Sequence, residues 1–428
     1  MQVLAELSEL CGIFLNQGFV MNILFLTQIV PFPPDAGPKV KTWHVIRALI
    51  GQGHSVTLVS FVRPEEEQHI PALKKVCADV HVVPIRRSRF ADVGYMLRSY
   101  LTTRPFLVER DDLHPMQAVV NKLVREGDFH FIHADQLTMV QFALRGAVAV
   151  PGKKPKVIFD AHNAVWSIVE RMQENARWFL KPVLGIEARR VKRYEGELLK
   201  TVDHVLAVTD IDRVGLEEAL NFSKVNQNDH VAPITVVPIA VDTQQLQPIK
   251  RKPGSKNIVT LGTLHYPPNA DGIRWFFNEV FPLVRQRVPD VTLTIIGKNP
   301  PQDFLELAER NPGVITVTGY VPELAPYLEP SALMVVPVRA GGGMRVRILE
   351  AFAYAMPVVT TTIGLEGIHA ELEKDVLVAD SATDFAKRVS ELLENTTLQE
   401  KLSENGRRLA ETKYDWQVVL SAMRPIYE

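Results

Sequence analysis

Short runs of apolar and β-branched residues recur along the chain, each bounded by turn residues and separated by segments with helical spacing. In the first half they occupy 23–26, 56–60, 80–83, 129–132, 157–159 and 205–208. After a polar stretch from Pro238 to Lys256 the rhythm restarts at 258–261, 291–296, 315–317, 333–336, 358–360 and 376–378. Continuous apolar runs, rather than alternating ones, predict strands buried on both faces. Strands alternating with helices predict parallel, doubly wound sheets of the α/β class. The pattern therefore reads as two such domains, 21–240 and 257–410, with 1–20 as an N-terminal extension and 241–256 as a linker rich in Gln, Lys and Pro without periodicity. Residues 411–428 carry apolar positions at helical spacing (Trp416, Val418, Leu420, Met423) and predict a last helix.

Composition narrows the partners. The chain has 428 residues, 46% hydrophobic and 23% charged, with a formal net charge of -1. That is enough chain for two ordinary cores, and it excludes the basic field of a dedicated nucleic-acid binder. Two cysteines, Cys11 and Cys77, lack metal-type spacing or a disulfide framework and fit a reducing compartment such as the cytoplasm. Residues 1–20 include Glu6 and Glu9, lack a basic start and are too polar for a membrane span, so Met21 reads as the better domain start.

In open α/β sheets ligands sit beyond the carboxyl ends of strands, so the segments that follow strands carry the candidate chemistry. The richest runs from Pro337 through Gly341-Gly342-Gly343-Met344-Arg345-Val-Arg347 to Glu350 and Thr360. Unhindered amides, a helix N-terminus and two arginines suit phosphate. Glu350, one turn into the helix, suits the two hydroxyls of a ribose. The same residues also satisfy a plain tight βα connection with two surface arginines.

In the first half, Gly37 and Pro38 open a helix on which Val40, Trp43, Ile46 and Leu49 recur. Val157-Ile-Phe-Asp160-Ala-His162-Asn163 is a strand ending in polar residues, where His162 is either a structural histidine or a ligand-facing one. His133-Ala134-Asp135-Gln136 closes another strand and makes Asp135 an acceptor-side candidate. No Asp-x-Asp pair is placed to bridge a diphosphate through a metal, and Asp111-Asp112 reads as a helix start.

The Gly341 to Thr360 segment resembles the donor-site signature of GT-B glycosyltransferases, the large retaining family 4 in particular. It is similar to a branch in which Gly-Gly-Gly followed by Arg-x-Lys/Arg-x-Leu-Glu replaces the first of two glutamates; here Gly342 stands eight positions before Glu350. The resemblance covers nearly all of Met21 to Glu428 and implies two Rossmann-like domains facing across a cleft, with the last helix, 411–428, crossing back to the first domain. That helix also reads as a simple terminal cap.

The resemblance further implies a donor held by Gly37, Gly262, His265, Tyr320, Val321, Gly341, Gly342, Gly343, Met344 and Glu350. His162 would face the donor sugar, with Arg345 and Arg347 stabilising the departing diphosphate, Asn163 and Asp135 on the acceptor side, and neither metal nor cofactor needed. The implied partners are a nucleotide sugar (UDP- or GDP-linked) and a sugar or lipid-linked acceptor in exopolysaccharide or glycolipid synthesis. Basic residues from Arg86 to Arg110 and from Arg177 to Arg193, interleaved with Trp178, Phe179, Leu180 and Val183, suggest peripheral contact with an anionic membrane. Two other readings share the architecture: a nucleotide-sugar epimerase, and a non-catalytic nucleotide-sugar-binding subunit.

Overall fold

A computed structural model describes residues 20–174, 176–226 and 229–428; the expected extension, Val20 apart, lies outside the described residues, as does Cys11. The chain divides into two compact units, one of the described residues up to Ile239 together with Val419–Glu428, the other Ala240–Val418. The first holds a seven-stranded sheet of β1 (Asn22–Thr27), β2 (Ser55–Val62), β3 (Asp79–Pro84), β4 (Phe131–Asp135), β5 (Lys156–Ala161), β6 (His204–Ala207) and β7 (Ile234–Val236). The second holds β8 (Asn257–Leu261), β9 (Thr292–Ile296), β10 (Ile315–Val317), β11 (Ser331–Val336), β12 (Val358–Thr360) and β13 (Leu377–Val378).

Strand order is β3-β2-β1-β4-β5-β6-β7 in one sheet and β10-β9-β8-β11-β12-β13 in the other, with every pairing parallel. In each, the direction of winding reverses beside the first strand, between β1 and β4 and between β8 and β11. A crevice at the carboxyl ends opens there. The central strands β4 and β11 are buried throughout, as their unbroken apolar runs require.

The helices used below are α1 (Gly37–Gly51), α2 (Arg89–Thr102), α3 (Val165–Glu174), α4 (Lys181–Leu198), α5 (Pro267–Trp275) and α6 (Val346–Ala353). On the first sheet Leu24, Leu26, Ile132, Phe159 and Val205 pack with Phe142, Trp166, Val191 and Leu216 from the helices. On the second, Ile258, Leu293, Leu333 and Val359 pack with Phe276, Phe385 and Leu402. Each such side chain contributes about 1.5–3 kcal/mol by leaving water.

Three segments differ from the sequence reading. Strand β7 is short, and its residues are half-exposed, so no apolar run announces it. The stretch expected as a linker is tied to the second unit: Val241 bridges Asp415, and the Arg251 guanidinium donates to the carbonyl of Ala332 and to Gln399 and Ser403 at 2.8–2.9 Å. The expected last helix is broken into short pieces, 410–414, Trp416–Leu420 and Ser421–Ile426.

Candidate functional site

Beyond the carboxyl end of the first sheet, Thr27, Asp135 and Asp160 stand side by side. Thr27 pairs in register with Asp135, and Asp135 with Asp160. All three are completely buried. Isolated buried carboxylates are costly, so each needs partners. Helix α1 supplies one to each from consecutive positions: the Lys41 ammonium sits on Asp160 Oδ1, and the Thr42 hydroxyl donates to Asp135 at 3.0 Å. Thr27 donates a further bond to Asp135 Oδ2 at 2.8 Å, and His162 Nε2 lies 2.7 Å from Oδ1.

Burial disfavours charge on Asp160, but Lys41 and the imidazoles of His133 and His162 outweigh it and hold the carboxyl well below its usual range. His133 faces Asp160 Oδ2 at 3.4 Å. Its ring stacks on Phe25 at 4.2 Å, and its Nδ1 meets the Tyr427 hydroxyl at 2.5 Å. Burial, with Asp160 adding to it, keeps that hydroxyl protonated far above its ordinary range.

His162 itself emerges at the strand end, its side chain 10% exposed. The turn behind it is clamped by two buried carboxyls: Asp212 accepts from the Ala164 amide at 3.1 Å, and Glu195 from the first amides of α3, Val165 at 2.8 Å and Trp166 at 3.0 Å. Burial pushes the Glu195 carboxyl up to about 8, against those two donors and with Asp212 adding to it. Asp135, expected on the acceptor side, is closed off beneath His162 and acts through it; Asn163 is half-buried beside it, and Gly37 is half-buried at the start of α1. Among the described residues His133, Asp135 and Asp160 form a group close enough for a cation, and the Lys41 ammonium already occupies that role.

In the second unit the crevice is lined by backbone. Gly341 and Gly343 have φ of 97° and 84°, conformations that L side chains rarely adopt. The amides of Gly342, Gly343 and Met344 donate no hydrogen bond among the described residues. Arg345 folds back on this loop, its Nη1 donating to the carbonyls of Gly342 and Gly343 at 2.6 and 2.7 Å. Arg347 braces the neighbouring strand end, donating to the Leu261 carbonyl at 2.6 Å and to Asn269 on α5 at 2.8 Å. A side chain at Gly262 would meet that guanidinium at 2.8 Å.

Burial brings Arg347 down to about 10, with Arg345 pressing the same way and Glu350 opposing. Glu350 is half-buried; burial raises its carboxyl and Arg347 opposes the rise. That carboxyl has no hydrogen-bond partner among the described residues. His265 and Tyr320 are exposed in the segments that follow β8 and β10, with Val321 half-buried next to Tyr320. The Lys298 ammonium lies 4.5 Å over the Tyr320 ring.

This arrangement of strand ends and glycine loop has known counterparts. The profile described as "Glycosyl transferase 4-like domain" matches residues 36–227, and that described as "Glycosyl transferases group 1" matches residues 255–395. The chain belongs to the family 4 glycosyltransferases. Its architecture is GT-B, with two Rossmann-like domains. An "Uncharacterized 44.6 kDa protein in cps region" of Klebsiella pneumoniae is 27% identical over 39% of the chain, the match spanning 45% of that protein. The "MMP alpha-(1->4)-mannosyltransferase" of Mycolicibacterium hassiacum is 24% identical over 92% of the chain and 94% of its own length. Among solved structures, Anabaena Alr3699/HepE in complex with UDP and glucose has a TM-score of 0.64 at 12% identity, covering 95% of this chain and 99% of that one.

Within this glycosyltransferase, three residues of the site escape a reading by sequence. Lys41, Glu195 and Lys298 stand among polar neighbours in helices or after a strand, where a charged residue reads as solvated surface. The basic residues near 86–110 are mostly consumed internally. Arg98 and Arg104 pair with buried Glu109 at 2.8 and 3.0 Å, Arg87 with Asp111 at 2.5 Å, and Arg110 lies 3.4 Å from Asp111. Arg86, Arg89, Arg177, Lys181, Arg189 and Arg193 have no ion-pair partner among the described residues.

Proposed function

We propose that this chain is a retaining glycosyltransferase that moves a sugar from a nucleoside diphosphate to an acceptor hydroxyl. The observation that carries the reading is the open loop of the second unit, where the amides of Gly342, Gly343 and Met344 and the half-buried Glu350 carboxylate have no hydrogen-bond partner among the described residues. Amides of that kind suit the diphosphate and sugar oxygens, and the carboxylate suits ribose hydroxyls. Arg345 and Arg347 serve by fixing the loop and adding positive charge behind it. His162, held by Asp135, is the side chain this reading assigns to the sugar. In the reaction the glycosidic C–O bond to the β-phosphate breaks, the acceptor oxygen bonds the same face of the sugar carbon, and the departing phosphate oxygen takes the acceptor's proton. The donor nucleotide is UDP- or GDP-linked; the UDP bound by the Anabaena protein supports the first of these.

A lipid-linked acceptor fits a feature of the first unit. Of the residues of α2 only Ser99 is buried, while Phe90 and Leu101 are 92% and 86% exposed, with Val93, Leu97 and Tyr100 also outward. Trp178, Phe179, Val183 and Ile186 are exposed nearby, linked to α2 through Arg190, which meets Ser99 and covers Tyr100. Apolar groups of this size among unpaired cations suit the surface of an anionic bilayer. No helix among the described residues is long and apolar enough to cross one.

Incubation with a panel of UDP-, GDP- and ADP-sugars, with and without lipid extract, reads the chemistry by mass spectrometry and the product anomer by NMR. Release of one nucleoside diphosphate with an axially or equatorially unchanged linkage supports the proposal. An isomerised free sugar nucleotide points to an epimerase, and binding without turnover to a non-catalytic subunit; either sinks it. Phosphatidylglycerol vesicles should sediment the protein, and phosphatidylcholine vesicles should not; the triple change Phe90→Ser, Leu101→Ser, Trp178→Ser should abolish sedimentation, and equal sedimentation with both lipids or with the variant removes the membrane contact.

A further inference from the structure

Two carboxylates lie side by side in the first unit, yet only one of them holds His162. Asp135 and Asp160 are in-register neighbours on β4 and β5, both fully buried. His162 follows Asp160 by two residues and feels its charge, yet its Nε2 bonds Asp135 at 2.7 Å. Adjacent residues of α1 divide the pair: Lys41 takes Asp160, and Thr42, with Thr27, takes Asp135 without adding charge. Thr42 and Thr27 leave the negative charge of Asp135 available to His162, while Lys41 cancels that of Asp160.

We propose that Lys41 is a positioning residue that reserves His162 for Asp135 by neutralising the neighbouring Asp160. The inference rests on the reading of His162 as the side chain that meets the donor sugar. His133 does not replace Lys41: its Nε2 faces the other oxygen of Asp160 at 3.4 Å, a long contact that leaves both atoms without a hydrogen bond, and its ring is held there by stacking on Phe25 and by the Tyr427 hydroxyl at Nδ1, away from Oδ1 where Lys41 sits. With Lys41 gone, the buried charge of Asp160 would be left with the imidazoles alone and would compete for that of His162, turning it away from the sugar. Bonding to Asp135 also fixes which ring nitrogen is presented outward: Nε2 is engaged, so Nδ1 is the one offered to a ligand.

The test is a cycle of Lys41→Met, Asp160→Asn and the double variant, followed by steady-state kinetics and by the imidazole NMR signals of histidine-labelled protein. Lys41→Met should lower kcat about tenfold or more with donor KM nearly unchanged, and should shift the His162 signals. The double variant, which removes both charges, should recover most of the turnover and the parent signals, a non-additivity that a merely structural role would not produce. Parent-like kinetics and His162 signals in Lys41→Met overturn the proposal, as does a folded double variant no better than Lys41→Met. If Lys41→Met fails to fold, the double variant alone decides it, since it buries no lone charge: turnover and His162 signals near those of the parent support the role, and their loss in a folded protein refutes it. The NMR readout needs no turnover, so a parent without transfer activity defeats the proposed function and leaves this inference open to its own result.

Discussion

The carboxyl end of the first sheet and that of the second solve opposite problems. The first is made of side chains whose polar atoms are largely engaged by one another: Asp135 accepts from Thr27, Thr42 and His162, and Asp160 holds Lys41. The second is made of backbone in which the amides of Gly342, Gly343 and Met344 donate no hydrogen bond among the described residues, with arginines turned onto carbonyls behind the loop. A satisfied network fixes one side chain in one place. An unsatisfied loop waits for oxygen atoms from elsewhere. The contrast teaches that positioning and binding need different degrees of completion; the arginines expected to stabilise the departing diphosphate also brace the loop and the strand end beside it.

The comparison breaks most sharply at Asp160. Asp160→Ala leaves the Lys41 ammonium buried without its counter-charge and should cost about 3–5 kcal/mol of stability, read as a lower denaturation midpoint. A change below about 1 kcal/mol would mean that water reaches this network. Glu350→Ala in the other unit should behave in the opposite way: no hydrogen bond among the described residues is lost, only the electrostatic support of Arg347, so the stability loss should stay below about 1 kcal/mol. Nucleotide affinity, by titration calorimetry, should fall by about 1–3 kcal/mol. Unchanged affinity would remove the ribose assignment.

The gentlest probe is pH. Glu195 has a folded value of about 8 against an unfolded value of 4.5, so the folded state favours the protonated form. Its contribution to stability is complete below 4.5 and is lost as pH rises through 8. Glu195→Gln should flatten the stability curve across that window, and an identical slope in the variant would mean the carboxyl is ionised in the fold.

Much of this was written in the chain. Runs such as Ile23 to Leu26 and Leu333 to Val336 are apolar without alternation because parallel strands are covered on both faces, and the segment around Gly341 that carries the resemblance is continuous in the chain. Strand β7 escaped because Ile234–Val236 is short and half-covered. Lys41 escaped for a different reason: it sits inside the apolar spacing of α1 and reads as a solvated position, and only the register of β4 against β5 reveals two carboxylates that need it. Asp135 was legible as a strand-end acid but not as a partner of His162, because sequence spacing does not report which strand ends become neighbours.

Tyr427 carries a consequence for how the molecule is made. The residue that caps His133 belongs to the first unit but is synthesised after the whole of the second. On the ribosome, where domains ordinarily fold in the order they emerge, the first unit cannot close its buried histidine until the chain has been made past the whole of the second. A nascent chain interrupted anywhere in the second unit therefore leaves the first one unfinished, with the imidazole of His133 uncovered.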